Sequence, residues 1–236
     1  MQVFLLHFAG GNCYSFDFLR RRFPTDAKII AAELPGRGKR YREPLLYNKR
    51  AAIADYVSQL RKGRNREAYV IYGHSMGATL GLSVTKEMEA LGDPPRALIV
   101  SGNAGPGTRD ASARKRYLMD DEDFKKELVK LGGLPDEFLQ SEALFEHFAP
   151  ILRADFELLE KEDLFESGLK ISTPIHAVMG DLEETAHRIS NWKEYTGGPF
   201  TRQLLPGNHF FINQHPAELA DIIMNCYARY NAMNML

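Results

Sequence analysis

The sequence predicts an α/β fold in which a mostly parallel central sheet is flanked by helices and interrupted by a helical insertion. Three observations predict it. At both ends of the 236-residue chain, short apolar runs alternate with amphipathic stretches of helical length, the pattern that parallel strands and their crossovers produce. Between about residues 104 and 169 the alternation stops and no convincing strand is found. A Gly-x-Ser-x-Gly sequence, Gly73-His74-Ser75-Met76-Gly77, joins an apolar run to a helix-like stretch.

Val3 to Phe8 reads as a buried strand ended by Ala9-Gly10-Gly11-Asn12. Tyr14, Phe16, Phe18 and Leu19 lead into Arg20-Arg21-Arg22 as a helix with a solvated end. Ala27 to Ala32 is the next strand, ended by Glu33-Leu34-Pro35-Gly36-Arg37-Gly38. From Lys49 to Arg61, Ala52, Ile53, Tyr56, Val57 and Leu60 recur at helical spacing. Ala68 to Tyr72 is the strand before Ser75, and the helix after it runs to about Leu91, where Gly92-Asp93-Pro94-Pro95 stops it. Ala97 to Ser101 is a further strand.

Within the insertion, Tyr117-Leu118-Met119, Phe124, Leu128, Val129 and Leu131 suggest one helix and Ala143 to Leu159 another, with Gly132-Gly133-Leu134-Pro135 between them. A structureless loop of that length would be unusual, so a helical lid over the strand ends is expected. Alternation resumes with a strand at Pro174 to Met179, a helix through Ile189, Trp192 and Tyr195, a last strand at Phe200 to Leu205, and an amphipathic helix from Pro216 to Tyr230. A single domain over residues 1–236 follows, with the lid at about 104–169 inserted in it.

Composition narrows the function. Hydrophobic residues at 44% and charged residues at 26% are ordinary for a globular protein, and a net charge of −1 argues against general binding to nucleic acid or a membrane surface. Cys13 and Cys226 are far apart and outside any metal-binding spacing, so no disulfide framework, metal or cofactor is expected. Met1 to His7 lacks the basic segment of a secretion signal, and no run approaches the ~20 apolar residues that span a bilayer. A cytoplasmic protein is expected.

The chemistry centres on Ser75. In a strand–turn–helix elbow the serine sits in a strained conformation, and small residues two before and two after it let strand and helix approach; Gly73 and Gly77 fill those places. A serine hydroxyl needs a base, and the base needs an acid to fix its tautomer. In α/β-hydrolases these follow in the order serine, acid, histidine. His209, in the Pro206-Gly207-Asn208-His209 loop after the last strand, is the candidate base among seven histidines. His74 is expected to be a packed neighbour; His7 could border the pocket or be structural; His147, His176, His187 and His215 lack a comparable setting.

The acid lies in Gly180-Asp181-Leu182-Glu183-Glu184. Glu183 fits the Gly-x-x-acid spacing, Asp181 is its rival with the shorter side chain, and Glu184 is third. For the oxyanion hole, the backbone N–H of Met76 and that of Ala9, before the Gly10-Gly11 pair, are the candidates. Gly102-Asn103-Ala104-Gly105-Pro106-Gly107 lacks the spacing of a nucleotide loop. The basic run Arg37 to Arg42 is a solvated loop, or a contact for an acidic partner or a phosphate.

The sequence resembles type II thioesterases, the stand-alone α/β-hydrolases that accompany non-ribosomal peptide and polyketide synthases. The resemblance covers nearly the whole chain and rests on His7-Phe8-Ala9-Gly10-Gly11, Glu33-Leu34-Pro35-Gly36-Arg37-Gly38-Lys39-Arg40, Gly73 to Ala78, Pro150-Ile151-Leu152-Arg153-Ala154-Asp155-Phe156, Trp192 and Gly207-Asn208-His209-Phe210-Phe211. The Leu-Pro-Gly-Arg and Leu-Arg-Ala-Asp blocks weigh most, because a generic hydrolase has no reason to carry them. The resemblance implies hydrolysis of acyl thioesters on the phosphopantetheine arm of an acyl or peptidyl carrier protein, removing wrong or stalled acyl groups. It implies a lid that shapes the acyl chamber, with Met119, Phe124, Leu128 and Phe148 as lining residues. This chain departs from the family pattern in having glutamate at the acid position and a short stretch before the first strand. Two other readings are a carboxylester hydrolase or peptidase of the same fold, and a non-catalytic hydrolase-fold binding protein.

Overall fold

The computed structural model describes residues 1–108, 114–132, 141–161 and 166–233. Six strands, β1 (Gln2–Leu6), β2 (Lys28–Ala32), β3 (Tyr69–His74), β4 (Leu98–Ser101), β5 (Ile175–Gly180) and β6 (Phe200–Leu205), form one sheet in the order β2-β1-β3-β4-β5-β6. Every neighbouring pair is parallel. Among the described residues the α-helices are α1 (Asp17–Arg20), α2 (Lys49–Gly63), α3 (Met76–Ala90), α4 (Asp121–Leu131), α5 (Glu142–Glu160) and α6 (Pro216–Met233). This is the parallel sheet flanked by helices expected from the alternation.

Burial on both faces of the central strands β1, β3 and β4 explains why they read as largely apolar runs rather than alternating ones, whereas the edge strand β6 carries Thr201, Arg202 and Gln203. Successive side chains point to opposite faces. Phe4, Leu6, Ile71, Leu98 and Val100 join Ala52, Tyr56 and Leu60 of α2 and Leu80, Val84 and Met88 of α3 on one face. Val3, Leu5, Val70, Tyr72 and Ile99 pack with Leu19 of α1 and Leu219 and Ile223 of α6 on the other. Helix α3, whose first ten residues are all buried, crosses the middle of the sheet.

Because all strands run the same way, the loops that follow them gather at one end of the sheet. The chain leaves β1 for β2 on one side and reaches β3 on the other, so a crevice opens between the ends of β1 and β3. The register sets Leu6 beside Gly73, which puts the loop after β1 next to the turn after β3.

Between β4 and β5, α4 and α5 pack through Phe124, Leu128, Phe145, Ala149, Leu152 and Phe156, with Ala9 of the β1 loop against the same cluster. Both helices are capped by the residue before them: the Asp120 carboxylate accepts from Asp123 N, and Ser141 Oγ from Leu144 N. Two details differ from the sequence pattern. Residues 116–118 make a short 3₁₀ turn and α4 begins only at Asp121, where its cap is. Ala186–Tyr195 forms successive 3₁₀ turns instead of an α-helix; Asn191 Nδ2 and Trp192 Nε1 donate to the carbonyls of Ala104, Pro106 and Asn103, and these tertiary bonds govern the local winding. Gly133, Leu134 and Pro135 lie outside the described residues.

Among the described residues no helix is long and apolar enough to cross a membrane. A Cβ on Gly77 would overlap the Leu6 carbonyl, and one on Gly73 the Gly77 carbonyl. Backbone cannot yield as a flexible side chain can, so Gly77→Ala is expected to cost about 2–3 kcal/mol and lower Tm by roughly 5–10 °C. An unchanged melting temperature would contradict the close strand–helix approach.

Candidate active site

The turn between β3 and α3 displays Ser75 at φ 55°, ψ −112°, one of two non-glycine residues with positive φ among those described. Such a conformation costs on the order of 1–3 kcal/mol and persists only where the surroundings enforce it. They do so here. Ser75 N donates to the Ser101 carbonyl at the end of β4. Asn103 Nδ2 donates to the Ser75 carbonyl at 3.2 Å and to Thr79 Oγ1 at 2.7 Å. The Trp192 indole in turn donates to the Asn103 carbonyl at 2.7 Å. Asn103 was legible only as part of a glycine-rich loop, although its place after the strand beside the elbow was a usable signal.

His209, in the loop after β6, reaches both partners. Its Nδ1 lies 2.8 Å from Glu183 Oε2 and its Nε2 3.1 Å from Ser75 Oγ. A carboxylate only accepts, so Nδ1 carries the proton and the Nε2 lone pair faces the serine hydroxyl. The second oxygen of Glu183, Oε1, accepts from Gly180 N at 2.8 Å. The extra methylene of glutamate is thereby used: the side chain folds back over the end of β5 while still meeting the imidazole.

Asp181 has a different task. Its Oδ1 accepts from Gly207 N at 2.9 Å, while its own N–H and that of Leu182 donate to the Leu205 and Gly207 carbonyls. These bonds tie the β5 loop to the β6 loop and so place His209. Glu184 is exposed.

The two oxyanion candidates also stand where donors can be free. Met76 is the first residue of α3, so its N–H has no partner within the helix. In the β1 loop, the Phe8 carbonyl accepts from Gly11 N at 2.9 Å and from His7 Nδ1 at 2.9 Å. In a trans peptide the N–H points opposite to the carbonyl; the Ala9 N–H therefore faces away from those donors, and it makes no hydrogen bond among the described residues.

His7 is a satisfied buried residue: its Nε2 accepts from Leu34 N at 3.2 Å. Burial, and then the Arg37 charge, lower its pKa to about 3. His74 is fully buried between the β4 end and the His209 ring, with its Nδ1 2.7 Å from Ser101 Oγ, and burial and then His209 hold it well below the ordinary imidazole value. His176 meets Thr201, and burial lowers it to about 4; His215 meets the Pro206 carbonyl. His147 stands against the Phe148 ring and His187 is exposed. Cys13 and Cys226 are free thiols, and no metal-holding cluster occurs among the described residues.

Two residues whose function composition and spacing did not reveal complete the surroundings. Arg37 and Asp155, 118 positions apart, form a bidentate pair at 2.5 and 2.8 Å, with side chains 3% and 0% exposed. Asp155 also accepts from Gly10 N at 2.8 Å. The Leu-Pro-Gly-Arg and Leu-Arg-Ala-Asp blocks are thus two halves of one contact. Nearby, the buried Glu33 carboxylate joins the loops after β1 and β2 by accepting from Cys13 N and Lys39 N.

A serine on a strained strand–helix turn, a histidine with its lone pair toward it and a carboxylate behind the histidine have the form of a serine-hydrolase site on an α/β-hydrolase fold. The sequence matches the family described as Thioesterase domain over residues 1–227, and the chain belongs to that family. It is a thioester hydrolase. A probable cadicidin biosynthesis thioesterase of Streptomyces griseus is 29% identical over 88% of this chain and 57% of its own length; this chain thus spans little more than half of that relative. Thioesterase PikA5 of Streptomyces venezuelae is 29% identical, over 94% of this chain and 78% of the relative. The type II thioesterase BorB from the borrelidin biosynthetic cluster superposes with a TM-score of 0.84 at 29% identity, covering 96% and 92% of the two chains.

Two predictions follow from this geometry. Glu183→Gln is expected to lower kcat by about 10²–10⁴-fold, the range for losing a base-orienting carboxylate, and to cost more than Asp181→Asn in a folded protein; the reverse order would move the acid to Asp181. His7 and His176 are held below the ordinary value of 6.5 in the folded chain, so the unfolded chain binds more protons in acid. The stability they contribute is complete above pH 6.5 and is lost as pH falls toward about 3 for His7 and about 4 for His176, by about 1.4 kcal/mol per pH unit for each histidine. Urea midpoints between pH 7 and 4 should fall less steeply for His7→Gln than for the unaltered protein. Parallel curves would contradict a neutral His7.

Proposed function

We propose that this thioesterase hydrolyses acyl groups held as thioesters on the phosphopantetheine arm of acyl or peptidyl carrier proteins, and so clears wrong or stalled groups from a cytoplasmic biosynthetic synthase. The observation that carries the reading is the unbroken chain Glu183–His209–Ser75 in a member of the thioesterase family. The carrier-bound substrate is supported by likeness to a type II thioesterase of a biosynthetic cluster. The complete hydrogen-bond chain also speaks against a non-catalytic binding role. No cofactor is needed for this chemistry.

In the reaction, Ser75 Oγ attacks the thioester carbonyl as His209 Nε2 takes its proton. Glu183 stabilises the imidazolium. The N–H groups of Ala9 and Met76 bind the oxyanion that develops in the transition state and is complete in the tetrahedral intermediate, and not the neutral ground-state carbonyl to the same degree. Collapse breaks the C–S bond, and the leaving sulfur takes the proton from His209 to give the free pantetheine thiol. A water then gives a proton to His209 and attacks the acyl-enzyme ester; collapse of the second tetrahedral species releases the carboxylic acid and returns the proton to Ser75. The helices between about 104 and 169 act as the lid of the acyl chamber, with Met119 and Phe148 at the edge and Phe124 and Leu128 inside its packing.

Measured kcat/KM should be highest for an acyl-carrier protein, lower for the corresponding acyl-CoA and lowest for a simple ester, and Ser75→Ala should reduce carrier-thioester turnover by at least about 10³-fold. Preference for the simple ester would overturn the carrier substrate; unchanged turnover in Ser75→Ala would overturn the nucleophile.

A further inference from the structure

The Arg37–Asp155 pair is placed unlike an ordinary structural ion pair. Asp155 belongs to α5, and Arg37 to the loop after β2. The third partner of the carboxylate is the N–H of Gly10, the residue directly after Ala9. Gly10 has φ +76°, and Leu152, one turn before Asp155 on α5, closes over its Cα. The two peptides around Ala9 are therefore fixed from opposite sides. The Phe8–Ala9 peptide is held through its carbonyl by His7 and Gly11, and the Ala9–Gly10 peptide through its N–H by Asp155.

We propose that Asp155, oriented by Arg37, is a positioning residue for the oxyanion hole: it locks the Ala9–Gly10 peptide and makes a correctly aimed Ala9 N–H conditional on α5 being docked on the sheet. The inference rests on the proposed role of Ala9 as oxyanion donor. Rotation of either peptide would swing the Ala9 N–H away from the reacting carbonyl, and donors contribute to the transition state only when preorganised. Arg37 supplies orientation through its planar fork, which fits a carboxylate in one plane, and Asp155 is left with lone pairs to receive Gly10. Asp155 touches no reacting atom; it acts through the loop.

Removing only one member would leave a buried charge without a partner, so the test removes both. Arg37→Met/Asp155→Leu lacks an acceptor for Gly10 N–H, whereas Arg37→Met/Asp155→Asn keeps an amide oxygen in its place. With rates normalised to titrated Ser75, the first is expected to lose 10–100-fold in kcat with KM changed less than about 3-fold, in proportion to the worth of an oxyanion donor. Its affinity for an alkyl boronic acid, which forms a tetrahedral adduct on serine, should fall in parallel. The second should recover most of both losses. Equal kcat and equal boronate affinity in the two double variants would overturn the proposal.

Hydrogen exchange on the unaltered protein tests it without any variant. The Gly10 amide should be protected to the same degree as the α5 amides; fast exchange at Gly10 beside a protected α5 would overturn it. An unaltered enzyme inactive on carrier thioesters would instead refute the proposed function, while the boronate and exchange results still decide the role of Asp155.

Discussion

The buried contact between Arg37 and Asp155 is the constraint on which the upper half of the molecule depends. Taking both charges out of water is costly, and such pairs are poor evidence for stability in themselves. What this pair contributes is definition: one helix, the loop after β2 and the loop after β1 meet at a carboxylate with three bonds. The same helix carries Arg153 two positions earlier. At 100° per residue the two side chains diverge by about 200°, so Asp155 faces the sheet while Arg153 donates to the Tyr117 and Met119 carbonyls and pairs with Asp121. One short block thus fastens α5 inward to the reacting end of the sheet and outward to α4.

Beneath that contact, the site is a product of strand direction. Six parallel strands end on one side, and Ser75, Glu183 and His209 each occupy a turn or loop there. The elbow is held by Ser101, Asn103 and Trp192 rather than by its own sequence alone. The loops that carry Glu183 and His209 are tied together by Asp181 and its neighbours. The two acidic residues that compete in sequence therefore cooperate in space: Asp181 fixes the loop that carries His209, and Glu183 meets its ring.

Much of this was legible in the sequence for physical reasons. Apolar runs between helical periods give strands buried on both faces, and Gly73 and Gly77 give an elbow because only hydrogen fits against the Gly77 and Leu6 carbonyls. Ser75, Glu183 and His209 follow one another in the order expected of the fold, and the structure links their side chains by hydrogen bonds. What escaped were contacts made at long range. Arg37 and Asp155 could be noticed as unusual blocks, but their pairing across 118 residues depends on how α5 docks. Local periodicity also failed at Ala186–Tyr195, where bonds from Asn191 and Trp192 to the β4 loop replace α-helical winding.

The central claim is that Ser75 carries the acyl group between the carrier thiol and water. The most direct measurement is to mix the enzyme with an acyl-carrier protein, quench in acid during the first turnovers and locate any added mass by peptide mass spectrometry. The account predicts a transient adduct equal to the acyl group on the peptide containing Ser75, with free carrier thiol appearing at least as fast as the adduct. Turnover with no adduct at Ser75, or an adduct on another residue, would contradict it.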